Sequence, residues 1–104
     1  MYYSNESQTM NLETVKSALI GVVKDIQRLR GRDESKVSGG VCPVKDLPRF
    51  DSHTCVEAMS MLSSSLGVEI PLDRNIFATK DKRRLLTIDE ASAVVCEGLS
   101  KGEK

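Results

Sequence analysis

Two short segments decide the fold of this chain: DSHTCVE at residues 51–57 and, ten residues later, GVEIP at residues 67–71. The first segment begins a helix, because the side chain of either Asp51 or Ser52 can accept hydrogen bonds from free backbone N–H groups. Gly67 ends that helix, because glycine readily adopts the left-handed backbone found at helix C-termini. We therefore predict a helix from residue 51 or 52 to Leu66, with an inward-facing stripe of Val56, Met59, Leu62 and Leu66.

Other helices are marked by apolar spacing and by caps. Apolar residues recur at three- and four-residue spacing from Leu12 to Leu29, behind Asn11 as a cap, and predict a first helix. Thr87 and Glu90 form a capping box that predicts the start of a last helix. A weaker pattern indicates a short helix near residues 73–79. Because no segment alternates like a strand, we expect an all-α fold, a small four-helix bundle with a long first loop and a short third helix.

The first loop, residues 30–49, is long for a compact domain. Loops of this length are usually functional or partly disordered. Apolar side chains within it and just after it can still attach it to the core; they are Val41, Val44, Leu47 and Phe50.

Composition describes one small domain with an aliphatic core. Of the 104 residues, 39% are hydrophobic but only 4% are aromatic, which favours helices packed through Leu, Ile, Val and Met. A domain of this size buries somewhat over about 60% of the surface of its unfolded chain. We expect it to span residues 11–99, between flexible tails at residues 1–10 and 100–104.

Charge and hydropathy exclude several functions. The 15 basic residues balance 15 acidic residues, and aromatic residues that could stack on bases are scarce, so we expect no nucleic-acid binding. No apolar run approaches the roughly 18–20 residues that cross a bilayer, so we expect no stable membrane insertion. Residues 1–10 lack the basic and apolar parts of a signal peptide, which predicts a cytoplasmic protein.

The three cysteines, Cys42, Cys55 and Cys96, form no CxxC pair and predict neither a disulfide framework nor a metal site. His53 lies two residues before Cys55, a spacing that puts the two side chains on different faces of a helix. The pair is therefore poorly placed for nucleophilic catalysis. We predict no catalytic residue and no enzyme activity.

Four segments together resemble the acyl carrier protein family. Residues 46–52 (DLPRFDS) resemble the approach to the carrier serine, and residues 56–57 (VE) resemble the start of the recognition helix. Residues 67–71 (GVEIP) resemble the family's turn after that helix. Residues 87–88 and 90–91 resemble the start of its final helix. The four segments occur in the family's order and at suitable spacing, which implies the acyl-carrier-like bundle as the fold.

By this resemblance, which extends over most of the chain from Leu12 to Leu99, Ser52 receives a 4'-phosphopantetheine arm from coenzyme A through a phosphopantetheinyl transferase. The implied protein is a monomeric phosphoprotein that carries an acyl intermediate as a thioester. Its partners would be acyl-loading and acyl-processing enzymes of fatty acid biosynthesis, other lipid metabolism, or a polyketide or related pathway. Partner recognition would fall to residues around the serine, namely Asp51, His53, Val56, Glu57 and Ser60.

The chemistry of a helix N-terminus agrees with this role, because free N–H groups and the positive end of the helix dipole accommodate a phosphodiester. Two alternatives stay open. One is an aminoacyl or peptidyl carrier, and the other is an unmodified carrier-like domain that acts purely as a protein-interaction module.

The chain departs from the family along the recognition helix. His53 stands where leucine is usual, Ser60 stands where a larger apolar residue is common, and residues 63–65 (SSS) replace acidic residues that dock basic patches of partner enzymes. Glu57 is the only carboxylate between Ser52 and Gly67. We therefore expect a specialised carrier with dedicated partners and less dependence on charge.

Two basic clusters remain: Arg28, Arg30 and Arg32 near the end of the first helix, and Lys80, Lys82, Arg83 and Arg84 before the last. We interpret both as solvated surface, with the first also complementing a helix C-terminus. The alternative is a partner-docking patch of unusual sign.

Overall fold

The computed structural model of the chain describes residues 11–47, 49–70, 75–79 and 83–102. Within these ranges the helices are α1 (Leu12–Leu29), α2 (Pro43–Asp46), α3 (Ser52–Leu66) and α4 (Ile88–Gly102). The prediction of an all-α fold is confirmed for this part of the chain. The tail predicted at residues 1–10 lies outside the described residues, and α4 continues past residue 99, the predicted end of the domain.

α1 occupies the predicted range and lies against both α3 and α4. Its cap is Asn11, whose side-chain oxygen accepts a hydrogen bond from the Thr14 N–H at 2.8 Å. Gly31, with φ of 71°, turns the chain away after the helix ends. The core that α1 shares with the other helices is mostly aliphatic, as expected, but Phe77 is its largest fully buried side chain and packs edge-on against Phe50. Other fully buried hydrophobic residues include Leu19, Ile26, Met59, Leu62 and Ile88.

The first loop is ordered by contacts with the start of α4. The carbonyl oxygens of Val41 and Gly39 accept hydrogen bonds from the N–H groups of Ile88 and Asp89, at 2.8 and 2.9 Å. These two donors have no partner inside a helix, so the loop satisfies groups that the helix itself cannot. A side chain at Gly39 would place its Cβ only 2.5 Å from the Asp89 carboxylate, which explains why glycine stands there.

Within the same loop lies α2, which the sequence analysis missed. It is one turn long, begins with Pro43 and ends at Asp46. The Asp46 carboxylate accepts a hydrogen bond from the Cys42 N–H at 2.9 Å. The expected apolar attachments are present: Leu47 and Phe50 are buried, and Val41 and Val44 pack partly buried against the core.

The predicted capping box of α4 is confirmed. The Glu90 carboxylate accepts from the Thr87 N–H at 2.9 Å, and the Thr87 hydroxyl accepts from the Glu90 N–H at 3.1 Å. Together with the two loop carbonyls, this pair gives every N–H of the first turn an acceptor.

The prediction of a short third helix near residues 73–79 is wrong for residues 75–79, the part of that range that the structure describes. These residues form a turn and a single antiparallel bridge between Ala78 and Leu85. Thr79 N–H donates to the Arg84 carbonyl, and Leu86 N–H donates to the Phe77 carbonyl, each at 2.9 Å. Pairing with residues 84–86 therefore takes backbone groups that a helix would have used.

The inward stripe predicted for α3 is wrong at Val56, which is 44% exposed. Met59 and Leu62 are buried as predicted, and Leu66 is half-buried. The helix is rotated so that Cys55 and Ala58 complete the buried stripe. Because neighbouring helical residues point about 100° apart, burying Cys55 turns Val56 outward.

None of the helices in the described ranges is long and apolar enough to span a membrane.

Candidate functional site

Ser52 is the first residue of α3, and its side chain is exposed. Asp51 provides the cap: its carboxylate accepts from the Thr54 N–H at 3.0 Å and from the Thr54 hydroxyl at 3.1 Å. The choice that the sequence left open between Asp51 and Ser52 therefore falls to Asp51. The Ser52 hydroxyl is not used by the cap and faces solvent.

Two N–H donors stand beside that hydroxyl. Among the residues that the structure describes, no acceptor pairs with the backbone N–H of Ser52 or of His53. Both lie in the first turn of α3, where the helix dipole is positive. An anion attached to the Ser52 oxygen would therefore find favourable electrostatics and unused donors.

The Asp51 cap is strengthened by its charge. Donation from the Thr54 N–H, and then from the Thr54 hydroxyl, lowers the pKa of the Asp51 carboxyl below its ordinary value. The carboxylate is therefore ionised at neutral pH, and it keeps the first turn of α3 in place beneath Ser52.

The predicted site residues gather on the outer surface of α3. Ser52, Val56 and Ser60 follow one another at one-turn spacing, so they form a row along the helix. All of the residues concerned are exposed. We call this surface the Ser52 face; it comprises Ser52, His53, Val56, Glu57, Ser60 and Ser64. Asp51, also exposed, caps the helix at one end of the face.

Arg30 is a residue of this site that the sequence analysis had assigned to solvated surface. Its guanidinium donates to the Thr54 hydroxyl at 2.8 Å and to the Glu57 carboxylate at 2.6 Å. It thus joins the end of α1 to the first two turns of α3. Arg30 and Glu57 are 27 residues apart in sequence, so no local pattern could have paired them.

Two other residues of the predicted basic clusters, Arg28 and Arg84, are also engaged. Arg28 forms ion pairs with Asp25 and Glu34, and Arg84 pairs with Glu90 at 3.1 Å. Lys80 and Lys82 lie outside the described residues. The two clusters therefore offer fewer free cations than their sequences indicate.

Ser63 belongs to the end of α3 and not to the Ser52 face. It is half-buried, and its hydroxyl accepts from the Ile70 N–H at 2.9 Å. Its carbonyl also accepts from the N–H groups of Gly67 and Val68, and Gly67 has φ of 69°, the left-handed stop that was predicted.

Cys42, Cys55 and Cys96 are free thiols in the structure. Burial raises the pKa of the Cys55 thiol to about 11, so the thiol is protonated at neutral pH and is a weak nucleophile. His53 is exposed whereas Cys55 is buried, which agrees with the expectation that the two do not cooperate. No group of three metal-binding side chains is found within the described ranges.

Comparison of the chain with protein-family models, with curated protein sequences and with solved structures gives no match in any of the three. The assignment of a function therefore depends on the residues and geometry described above.

Proposed function

We propose that this protein is an acyl carrier that bears 4'-phosphopantetheine on Ser52 and presents an acyl thioester to other enzymes. The observation that carries this proposal is the state of Ser52, which is exposed at the start of α3 while the neighbouring Asp51 performs the capping. Because the Ser52 hydroxyl does not cap the helix, it can be modified without loss of a cap hydrogen bond. The resemblance of residues 46–52 and 56–57 to the family motif supports the same residue.

Attachment of the arm is a phosphoryl-group transfer. The Ser52 hydroxyl oxygen attacks the coenzyme A phosphorus that is joined to pantetheine, and a phosphodiester forms. The pyrophosphate bond breaks, adenosine 3',5'-bisphosphate leaves, and the hydroxyl proton passes to a base of the transferase. The chain itself contributes the accessible oxygen and, in the N–H groups of Ser52 and His53, donors for the new anion.

The Ser52 face supports a carrier with dedicated partners. Its only carboxylate in the helix, Glu57, is paired with Arg30, so little free negative charge is available to attract a basic docking patch. This favours a specialised lipid, polyketide or related pathway over general fatty acid synthesis.

An unmodified interaction module is the second candidate, and one observation favours it. Val56 is 44% exposed on an uncovered helix face, and an exposed apolar residue with a polar surround is typical of a contact surface. This function requires no modification of Ser52.

Intact mass spectrometry separates the two candidates. With coenzyme A and a phosphopantetheinyl transferase, the wild-type protein should gain the mass of one phosphopantetheine unit, and Ser52→Ala should gain none. Ser64→Ala, on the same face, is the matched control and should be modified like wild type. The free energy of unfolding of Ser52→Ala should lie within about 0.5 kcal/mol of the wild-type value, because the helix cap is Asp51 and not Ser52.

Modification of Ser52→Ala at another serine would refute the site. A wild-type protein that stays unmodified with several transferases, and is also unmodified when isolated from its native cell, would favour the interaction module. The mass of a loaded arm from native protein would tell an acyl from an aminoacyl or peptidyl cargo.

A further inference from the structure

His53 follows Ser52 directly and is the only histidine among the 104 residues. It is the second residue of α3, and its side chain is exposed. In the part of the chain that the structure describes, the imidazole has no hydrogen-bond or ion-pair partner. The candidate site therefore contains an unpaired imidazole one residue from the hydroxyl that would carry the arm.

Asp51 lies immediately before Ser52 in the sequence and keeps its negative charge. Hydrogen bonds from the Thr54 N–H and hydroxyl lower the pKa of the Asp51 carboxyl most, and the positive charge of His53 lowers it further. The imidazole is therefore within electrostatic range of the helix cap. A phosphodiester on Ser52 would add a second negative charge one residue from the Asp51 carboxylate, and like charges repel. A cation beside Ser52 would offset that repulsion.

The other charged groups around the first turns of α3 are Glu57, Arg30 and Arg49. Glu57 lies one turn along the helix from His53 and accepts from Arg30, at the end of α1, at 2.6 Å. Arg49 precedes the helix and is exposed. Of all the basic side chains, that of His53 is the nearest to Ser52 along the chain, so it is the one best placed to supply the cation.

We propose that His53 is a positioning residue for the phosphopantetheine arm, and that its imidazolium pairs with the phosphodiester on Ser52. The inference rests on the proposed function and deepens it, because it gives a role to a residue at which the chain departs from the acyl carrier protein family. The backbone N–H groups of Ser52 and His53 supply neutral donors for the phosphodiester, and the imidazolium supplies the opposite charge.

The pairing makes the arm sensitive to pH. Imidazole changes its charge between about pH 5 and 8. At the acid end of this range the pair holds the first segment of the arm against α3, and at the alkaline end the arm is released. The volume that the terminal thiol can reach therefore increases as the pH rises.

The test is ³¹P NMR of the full-length protein after a phosphopantetheinyl transferase has attached the arm. A phosphodiester stays a monoanion over this pH range, so its resonance titrates only if a neighbouring group changes charge. We expect the ³¹P shift to follow one titration in wild type and to be independent of pH in His53→Gln. At the acid end, the two methyl groups next to the phosphodiester in the arm should also show NOEs to the His53 ring.

Two further variants separate position from charge. Ser64→His in the His53→Gln background returns one histidine to an exposed position of α3, but 12 residues after Ser52, about 18 Å along the helix axis. Its ³¹P shift should stay independent of pH. His53→Lys is charged throughout the range, so its NOEs between the arm methyl groups and residue 53 should persist at the alkaline end.

Phosphoserine at residue 52, incorporated through an expanded genetic code, tests the pair without a transferase. Its phosphate loses a second proton near pH 6, and a neighbouring imidazolium favours the dianion. The ³¹P midpoint should therefore be lower with His53 present than in His53→Gln. The expected difference is up to about 0.5, the value for two unit charges about 6 Å apart in water.

A ³¹P shift of the arm that is flat in wild type, a titration that survives in His53→Gln, or phosphoserine midpoints that coincide would overturn the proposal. A protein that no transferase modifies would contradict the carrier function. The phosphoserine pair would then still decide whether His53 acts on an anion at Ser52, so the two failures are distinguishable.

Discussion

The Arg30 guanidinium lies 2.6 Å from the Glu57 carboxylate and 2.8 Å from the Thr54 hydroxyl, and so connects the end of α1 to α3. The contact has two consequences. It connects α3, which presents Ser52, to α1, the longest helix in the described ranges, and it pairs Arg30 with the single carboxylate of the Ser52 face. One residue thereby influences both the stability and the electrostatic character of the candidate site.

The strength of this contact can be measured by a double-mutant cycle of Arg30→Ala and Glu57→Ala. Both side chains are partly exposed, and ion pairs of this kind contribute about 0.2–1 kcal/mol. We expect a coupling energy in that range from urea unfolding, decreasing at high salt. A coupling energy indistinguishable from zero at low salt would show that the pair does not connect the helices.

Acid should destabilise the α3 cap. The pKa of Asp51 is lower in the folded protein than in the unfolded chain because the Thr54 N–H and hydroxyl donate to the carboxylate. A depressed folded pKa contributes stability above the unfolded value, near pH 4, and this contribution is lost as the pH falls through the folded pKa.

The urea midpoint of wild type should therefore fall below about pH 4, and the fall should be smaller in Asp51→Asn, which keeps an acceptor but does not titrate. The pKa of Glu90 is lowered too, chiefly by the Thr87 N–H and then by Arg84, so part of the fall should persist in that variant. Identical pH profiles for wild type and Asp51→Asn would contradict the cap geometry.

The register of α3 predicts unequal costs for two truncations of apolar side chains. Leu62 is fully buried, so Leu62→Ala should lower the free energy of unfolding by about 2–5 kcal/mol. Val56 is 44% exposed, so Val56→Ala should cost less than about 1 kcal/mol. Denaturant unfolding of the two variants measures the difference, and a similar loss in both would mean that the helix is rotated from the orientation described.

The contact between the first loop and the start of α4 can be tested by substitutions at Gly39 and Gly40. Gly39→Ala would bring Cβ to 2.5 Å from the Asp89 carboxylate, which must then move away from Lys16, its partner at 3.1 Å. We expect a loss of about 1 kcal/mol. At Gly40 a Cβ meets nothing within 4 Å, so Gly40→Ala should be neutral or slightly stabilising.

A second variant makes the glycine test specific. In an Asp89→Ala background the obstructing carboxylate is absent, so adding Gly39→Ala should cost less than it does in wild type. If Gly39→Ala lowers the free energy of unfolding by the same amount in both backgrounds, the steric conflict does not involve the Asp89 carboxylate.

The parts of the fold that local chemistry determines could be predicted from the sequence. Asn11, Gly67 and the Thr87–Glu90 capping box act through neighbours within a few residues, and each one has the role that its pattern predicts. The exposure of Ser52 also follows from its place at a helix start.

The sequence predictions are wrong or incomplete mainly where contacts between residues distant in the sequence determine the structure. The backbone of residues 77–79 pairs with residues 84–86, which overrides a weak helical pattern. A single turn such as α2 is too short to show periodicity. In α3 the buried stripe includes the small residues Cys55 and Ala58, whereas the spacing of large aliphatic side chains indicates Val56 instead. The contact between Arg30 and Glu57 has no local signal at all.

The last prediction concerns the acids that the Ser52 face lacks. Ser60 and Ser64 are exposed on this face, whereas the Ser63 hydroxyl holds the Ile70 N–H and is unsuitable for substitution. Ser60→Glu with Ser64→Glu would therefore add two free carboxylates to the Ser52 face without disturbing the end of α3.

If the proposed carrier function is right and partner choice depends on the charge of this face, the acyl-loaded, doubly acidic variant should be a better substrate than loaded wild type for an acyl-processing enzyme with a basic docking patch. We expect kcat/KM to rise several-fold at low salt, because long-range attraction and new charge pairs both favour encounter. The gain should fade towards 1 M salt. Ser60→Ala with Ser64→Ala, which adds no charge at the same two exposed positions, is the control for loss of the serines. An unchanged kcat/KM at low salt, or a gain that persists at high salt, would show that charge on this face does not select the partner.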